Sequence, residues 1–205
     1  MTRDQIRSRV QTNLNDSNVL YTLDDLNDSI QDGYSEVAAF TGSIFKATSI
    51  DIVGNLTYYD FGSLIPDFLA VTAMFNPVTK RWLFPTYLKQ LEDIRNDWEL
   101  AIGNSFLFWP VNFRFVALYP KLSTSTGTLY IFYRAHADTL SGSSTPQIPE
   151  DLQQILEDYT TGDLLEQAEE FTKSQLNLAN YFKGIQELKQ ATRKFRLPDY
   201  SPRLA

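Results

Sequence analysis

The sequence contains no cysteine and only one histidine among its 205 residues. Without cysteine, a disulfide framework, thiol catalysis and cysteine-ligated zinc are excluded. The single histidine, His136, excludes histidine-rich metal sites, and no nucleophile motif such as Gly-x-Ser-x-Gly is present. We therefore interpret His136 as a structural or surface residue.

Long apolar runs and clustered glycines are also missing. No apolar run approaches the ~20 residues needed to span a bilayer, and the nine glycines form no phosphate-binding Gly-x-x-x-x-Gly-Lys loop. The first residues are typical of a polar helix start rather than a secretory leader. We expect a protein assembled in a cytoplasm, with no cofactor, no bound metal and no enzyme activity.

Charge is unevenly distributed along the chain. The formal net charge is −7 and the pI is near 4.7, which opposes general affinity for nucleic acid. Acidic residues concentrate in 16–36 and 150–170, whereas basic residues gather near the two ends. Two interpretations stay open: solvated helix faces, or head-to-tail complementarity between neighbouring copies. The candidates for such an interface between copies are Asp24, Asp28, Asp32, Glu166, Glu170, Lys189, Arg193 and Lys194.

The N-terminal part predicts a helical hairpin. Residues 2–14 carry Ile6, Val10 and Leu14 at i, i+4 spacing, typical of a short helix. Thr22 and Asp25 have the spacing of a capping box, which predicts the start of a second helix, and Gly42 is placed to end it.

The middle of the chain is rich in residues that favour strands. Gly54-Asn55 is expected to turn one hairpin within 45–59, and Asn76-Pro77 a second between 68–75 and 81–84. Pro85 could begin a helix whose apolar positions run from Leu88 to Ile102.

The two most apolar runs of this region are Phe113–Tyr119 and Thr128–Ala135, on either side of a polar loop. They predict a β-hairpin. Because apolar residues occupy both faces of each run, we expect a central strand pair that is covered on both sides.

A linker over 138–149 is followed by two helical patterns, one from Pro149 and one through Tyr181, Ile185 and Leu188. Pro198 and Pro202 block further helix. The sequence thus predicts an α+β fold with an N-terminal helical hairpin, a β-rich middle with one helix, a C-terminal antiparallel helix pair and an extended tail. We expect one domain over 1–196, in which helical parts 1–42 and 148–196 pack together around a β-rich insertion at 43–140. An extended arm over 197–205 follows.

The residues also allow two other functional hypotheses. The acid pairs Asp24/Asp25, Asp28/Asp32 and Glu166/Glu170 could serve a hydrolase, but acids at this spacing are usually solvated. Aromatic residues could line a sugar-binding or base-stacking surface, although their strand patterns favour core packing. The alternative to a structural role is therefore a carbohydrate- or receptor-binding module that uses exposed Trp82, Trp98 or Trp109.

Several stretches, taken in order, resemble one family. They are Tyr21-Thr-Leu-Asp-Asp-Leu at a helix start, Leu64-Ile-Pro-Asp-Phe before a strand, Arg81-Trp-Leu-Phe-Pro before the middle helix, Trp109-Pro, Phe113-Arg-Phe-Val-Ala-Leu-Tyr-Pro, Leu129-Tyr-Ile-Phe-Tyr-Arg, and Pro146-x-Ile-Pro-Glu before the closing helices. In this order they resemble the head-to-tail adaptor (connector) proteins of tailed bacteriophages. The likeness covers nearly the whole chain.

The resemblance implies a virion structural protein of the neck, at the head–tail interface. It implies a ring, usually of twelve copies, that binds beneath the portal protein, extends the DNA channel and offers a platform for a tail, nozzle or tail-terminator protein. Genomic DNA would only pass through, and no membrane would be involved. By the same resemblance, a portal-docking arm is expected at Leu197, Pro198, Asp199, Tyr200, Ser201, Pro202, Arg203 and Leu204. A tail-facing loop is expected at Lys121, Leu122, Ser123 and Thr124.

Overall fold

The computed structural model describes residues 1–15, 20–123 and 127–194. The described residues form two compact units. Residues 1–44 and 137–194 make a helical unit, and residues 45–136 make a β-rich unit. The predicted α+β class, with helices at both ends of the chain and strands in the middle, is confirmed.

The helices are α1 (Arg3–Leu14), α2 (Leu23–Thr41), α3 (Phe61–Leu64), α4 (Leu88–Ile94), α5 (Gln154–Gln167) and α6 (Phe171–Lys194). The strands are β1 (Phe45–Asp51), β2 (Tyr58–Asp60), β3 (Phe68–Asn76), β4 (Arg81–Pro85), β5 (Ile102–Gly103), β6 (Leu107–Pro110), β7 (Phe115–Tyr119), β8 (Lys121–Leu122) and β9 (Thr128–Ala135). None of the helices in the described ranges is long and apolar enough to cross a bilayer.

Side-chain caps fix the starts of the first two helices. The side chains of Thr2 and Thr22 each accept a hydrogen bond from the backbone N–H three residues on. In return, the backbone N–H groups of Thr2 and Thr22 donate to the side chains of Gln5 and Asp25. Gly42, with φ of 56°, ends α2 in the left-handed region that glycine tolerates. The caps predicted at Thr22 and Gly42 are confirmed.

The helical unit depends on close approach at two glycines. A Cβ at Gly33 would lie 2.5 Å from Cδ1 of Tyr159, and one at Gly184 would lie 2.5 Å from Cγ1 of Ile155. The predicted apolar stripe of α6 is confirmed, since Tyr181, Ile185 and Leu188 are buried. Glycines therefore let α5 pack tightly against both α2 and α6.

The β-rich unit contains a seven-stranded sheet in the order β1-β9-β3-β4-β6-β7-β2 and a separate β5–β8 pair. The pairs β4–β6 and β5–β8 are parallel, and the others are antiparallel. The predicted β3–β4 hairpin is confirmed. Its turn is fixed by the Asn76 side chain, which accepts hydrogen bonds from the N–H groups of Val78 (3.0 Å) and Thr79 (3.2 Å).

The hairpin predicted between Phe113–Tyr119 and Thr128–Ala135 is wrong. Strand β7 pairs with β6 and β2, whereas β9 pairs with β1 and β3. The turn that decides this is at Asn112, whose side chain accepts hydrogen bonds from the N–H groups of Arg114 and Phe115, both at 2.8 Å. This local turn joins β6 to β7 and competes with the longer loop.

Two other local predictions are also wrong. Strands β1 and β2 do not pair with each other, because β1 aligns with β9 and β2 with β7. Pro85 ends β4 instead of starting a helix, and α4 stops at Ile94. At that point Arg95-Asn96-Asp97 follows, and Asn and Asp compete with helix through local hydrogen bonds.

The two predicted central strands are covered differently. Val116 to Tyr119 of β7 are all buried, so coverage of both faces is confirmed there. In β9 the residues alternate, with Leu129, Ile131, Tyr133 and Ala135 buried and Tyr130 and Phe132 exposed. Coverage of both faces is therefore wrong for β9, which exposes aromatic side chains on its outer face.

Candidate functional site

An acidic stripe on α2, defined as Asp24, Asp28 and Asp32, is the most distinct charged surface. The three carboxylates are spaced four residues apart, so they share one face of the helix, and all are exposed. None of them is paired with a basic group in the part of the chain that the structure describes. Like charges at this spacing cost roughly 0.2–0.5 kcal/mol per pair, so a cationic partner would relieve a local repulsion.

Glu36 lies one turn after the stripe and is half-buried within the helical unit. Its Oε1 accepts a hydrogen bond from the Tyr181 hydroxyl at 2.7 Å. Tyr181 stacks edge-on with Tyr159 at 5.1 Å between ring centroids. Burial, with the nearby Glu36 charge, raises the pKa of Tyr159 to about 12 and also raises the pKa of Tyr181. Both hydroxyls therefore stay protonated, and Glu36 has a structural role.

The remaining acidic candidates lie at the junction of α5 and α6. Glu166 and Glu170 are both exposed. Oε2 of Glu170 lies 2.5 Å from Nζ of Lys173, so this carboxylate already has a partner within its own chain. Glu166 is the better placed of the two for a contact with another copy.

The basic candidates lie near the end of α6. Lys189 is half-buried, and its ammonium lies 5.5 Å from the centroid of the Phe40 ring, a cation–π distance. Arg193 and Lys194 are part of α6, but their side chains lie outside what the structure describes. Lys189 thus brings a positive charge to a surface where Phe40 is 57% exposed.

The expected tail-facing loop includes strand β8. Leu122 is only 4% exposed, so its side chain belongs to the core and cannot contact a tail without rearrangement. Lys121 is half-buried and donates its backbone N–H to the Ala101 carbonyl at 3.0 Å, whereas Ser123 is exposed. Thr124 lies outside the described residues. So do all residues of the expected portal-docking arm: Leu197, Pro198, Asp199, Tyr200, Ser201, Pro202, Arg203 and Leu204.

No catalytic constellation is found within the described ranges. No group of three or more metal-ligating side chains occurs there. His136 is exposed, and its backbone N–H donates to the Asp67 carbonyl at 2.9 Å. Of the acid pairs considered for a hydrolase, Asp25 is engaged in the cap of α2.

Burial raises the pKa values of two adjacent carboxyl groups on α5. Glu157 is 6% exposed and receives a hydrogen bond from Nη1 of Arg9 at 3.1 Å. Burial raises the pKa of Glu157, and burial together with the Glu157 charge raises that of Asp158 to about 6. Asp158 lines an open groove with Lys183 and Glu187 of α6. This pair makes the stability of the helical unit dependent on pH.

The tryptophans considered for carbohydrate binding differ in exposure. Trp98 is only 4% exposed, so its predicted exposure is wrong, and the half-buried Trp109 packs edge-on against it at 6.0 Å. Trp82 is 46% exposed and stacks on Phe132 at 5.5 Å and on Phe75 at 5.2 Å. The exposed aromatic side of the sheet was missed in the sequence, although Tyr130 and Phe132 alternate with aliphatic residues in β9.

The chain can be compared with curated proteins and with models of protein families. No curated protein matches the chain. The family model described as SU10 adaptor protein matches residues 1–202, which is nearly the entire chain. The chain therefore belongs to the SU10 adaptor protein family, a family of phage head-to-tail adaptors.

Proposed function

We propose that this phage adaptor forms a ring beneath the portal of the DNA-filled head, with the twelve copies that the resemblance implies. In this proposal residues 1–196 act as one adaptor domain, and the arm over 197–205 docks onto the portal. The ring extends the DNA channel and gives the tail, nozzle or tail-terminator protein a surface to bind. The location is the neck of the virion, with assembly in the host cytoplasm.

The observation that carries the ring is the acidic stripe. Asp24, Asp28 and Asp32 are exposed, aligned and without a basic partner in the described residues of their own chain. The basic end of α6, with Lys189, Arg193 and Lys194, is the matching surface that a neighbouring copy would present. A head-to-tail ring requires two different, complementary surfaces of one subunit, and these two segments are such a pair.

The net charge supports the passage of DNA through the ring. At −7 per subunit, a ring would repel the phosphate backbone on average. Weak attraction lets the genome slide, whereas a basic channel would hold it. DNA is therefore a passenger in this proposal and not a ligand.

Electron microscopy of the purified chain mixed with its portal protein tests the proposal. We expect rings on the portal with the wild-type chain, and loss of rings when the stripe is reversed by Asp24→Lys, Asp28→Lys and Asp32→Lys together. Asp151→Lys, at an exposed acid outside the stripe, is the matched control and should leave rings intact. Rings that persist with the reversed stripe would refute the stripe as an interface, and no rings with the wild-type chain would refute the ring itself.

Deleting residues 197–205 tests the docking arm in the same assay. Attachment to the portal should be lost while the circular dichroism spectrum is unchanged. Attachment that survives the deletion would exclude the arm as the docking element and leave the ring proposal standing.

A further inference from the structure

The outer side of the β-rich unit has an aromatic face, defined as Phe45, Phe75, Trp82, Tyr130 and Phe132. Tyr130, Phe132 and Arg134 lie two residues apart on β9, so their side chains point to one side of the sheet. Phe45 is paired with Arg134 in the register of β1, and the Arg134 guanidinium lies 5.8 Å from its ring centroid. Trp82 joins the face through its contacts with Phe75 and Phe132. The face thus crosses four neighbouring strands.

The side chains of this face are exposed, although large aromatic residues favour burial. Phe45, Trp82 and Tyr130 are 45%, 46% and 46% exposed, and Phe132 is 36% exposed. A contiguous group of aromatic side chains on the surface is typical of a protein-binding site, where Trp and Tyr contribute most of the affinity. At one end of the face, Lys80 of the β3–β4 turn and Arg81, the first residue of β4, are exposed cations that have no ionic partner in the described residues.

A second surface of the β-rich unit has the complementary charge. The acidic segment, residues 87–102, is held in place by Leu91, Trp98 and Ala101, which are buried in one core cluster. Its outward apolar side chains are Tyr87, Leu88, Ile94, Leu100 and Ile102, exposed by 39% to 66%. Arg95 and Asp97 pair with each other, Nη2 to Oδ2 at 2.8 Å, and Glu99 accepts from the Tyr58 hydroxyl.

Two carboxylates of this segment are left over. Glu92 and Asp93 are exposed and have no partner in the part of the chain that is described. They match the two cations, Lys80 and Arg81, beside the aromatic face. The exposed Lys89 of the segment also has no ionic partner in the described residues, so the unpaired charges of the acidic segment sum to −1 and those beside the aromatic face to +2. Each surface therefore combines exposed apolar side chains with unpaired charges, and the net signs are opposite.

We infer that the aromatic face of one copy binds the acidic segment of a neighbouring copy. This inference rests on the proposed ring and assigns it a contact in the β-rich unit, in addition to the charged surfaces of the helical unit. The contact is heterologous, since it joins two different surfaces of the same chain, and such contacts generate rings when the rotation closes. The apolar side chains supply the affinity, and the charge pairs set the orientation.

The absence of cysteine from the sequence allows a direct test. In the ring assembled with portal, the double variant Lys80→Cys with Asp93→Cys should give a ladder of disulfide-linked multimers under mild oxidation on a non-reducing gel. The two single variants should give at most dimers. A ring that is visible by microscopy but gives no ladder would overturn the contact while leaving the ring standing, and the absence of any wild-type ring would overturn both.

Charge reversal supplies a second test with variants that keep the core intact. Lys80→Glu with Arg81→Glu should reduce ring formation by about tenfold or more, as expected for charged pairs at an interface. Adding Glu92→Lys and Asp93→Lys in the same chain should restore it, because the signs match again. Failure of the combined variant to recover while circular dichroism shows a native fold would contradict the pairing.

The exposed tryptophan provides the third readout. Trp82→Ser should weaken ring formation without altering circular dichroism, and Val78→Ser, at a 64% exposed position of the adjacent turn, is the control. Quenching of wild-type tryptophan fluorescence by a glycan, absent in Trp82→Phe and accompanied by normal rings with Trp82→Ser, would instead identify a carbohydrate site and overturn the contact.

Discussion

The helical unit and the β-rich unit expose different kinds of surface. Acidic and basic residues nearly balance in the sequence of 45–136, so the net charge of −7 comes from the rest of the chain. The helical unit presents carboxylates, as on the acidic stripe, whereas the β-rich unit presents the aromatic face. Contacts made through the carboxylates would be long-ranged and weakened by salt, whereas contacts made through the aromatic side chains would be short-ranged and largely insensitive to it.

The interiors of the two units also differ in polarity. In the helical unit, polar groups enter the core: Glu157 is buried beside Arg9, and Tyr181 donates to Glu36. In the β-rich unit the interior is mainly apolar, with edge-on aromatic contacts such as Phe61 against Phe68 at 5.4 Å. The comparison teaches that buried ionisable groups contribute to the stability of the helical unit beside its close packing, whereas the interior of the β-rich unit is stabilised mainly by apolar packing.

Truncating a core aromatic of the β-rich unit should have the largest effect on stability. Phe61 is fully buried and contacts both Tyr59 and Phe68. Phe61→Ala should lower the free energy of unfolding by about 3–5 kcal/mol, because it removes a large side chain and leaves a cavity. The midpoint of urea unfolding measures the change.

Phe113→Ala is the matched control, because Phe113 is 81% exposed. Its effect should stay within about 0.5 kcal/mol. If Phe61→Ala lowered the free energy of unfolding no more than Phe113→Ala, apolar packing would not explain the stability of the β-rich unit.

Adding one methyl group to the helical unit should have the next largest effect. A Cβ at Gly33 would lie 2.5 Å from the Tyr159 ring, closer than real contacts allow. Gly33→Ala should therefore destabilise the protein by about 1–3 kcal/mol through overpacking. Thermal unfolding followed by circular dichroism measures it.

Gly103→Ala gives the same substitution in the β-rich unit, where the nearest atom would be a Pro120 carbon at an ordinary 3.7 Å. Its cost should be much smaller. Equal costs at both positions would show that close helix packing at Gly33 adds nothing specific to the helical unit.

The boundaries of α2 could be predicted from the sequence because they depend on local chemistry. The box at Thr22 and the glycine at Gly42 act within one turn of chain, and both were correct. Strand pairing depends on partners distant in sequence, so the pairing of Phe115–Tyr119 with β6 and β2 could not be read from the run itself. The Asn112 turn was the local feature that would have corrected it.

The candidate surfaces divide in the same way. The exposure of Asp24, Asp28 and Asp32 follows from helical spacing, which the sequence contains. The burial of Leu122 and Trp98 depends on which strands and turns surround them, which the sequence does not show directly. The aromatic face needed the register that brings Trp82 beside Phe132.

The smallest expected effect concerns two aspartates whose pKa values are shifted in opposite directions. Burial and the Glu157 charge raise the pKa of Asp158 to about 6, above the ordinary value of about 3.9. Between these values the folded state binds more protons than the unfolded state, so stability falls as the pH rises through this window. Asp158→Asn removes the free-energy cost of ionising this carboxyl group and should stabilise the protein at pH 7 by roughly 1 kcal/mol. This is well below the value that the full pKa shift would give, because the carboxyl group is partly exposed.

Asp60 of the β-rich unit is the contrasting case. Its carboxylate is bound by the Arg114 guanidinium, Nε to Oδ1 at 2.8 Å, and this pairing lowers its pKa. Its contribution is therefore present above the ordinary aspartate pKa and is lost as the pH falls below it. Asp60→Asn should destabilise the protein at pH 7, and the difference from wild type should disappear in acid. Melting temperatures of both variants from pH 3 to pH 8 should thus diverge from wild type in opposite directions as the pH rises. Since both changes replace a carboxylate by an amide of the same size, a shift of the same sign for both would mean that general charge repulsion, and not the local surroundings of each carboxyl, governs the pH dependence.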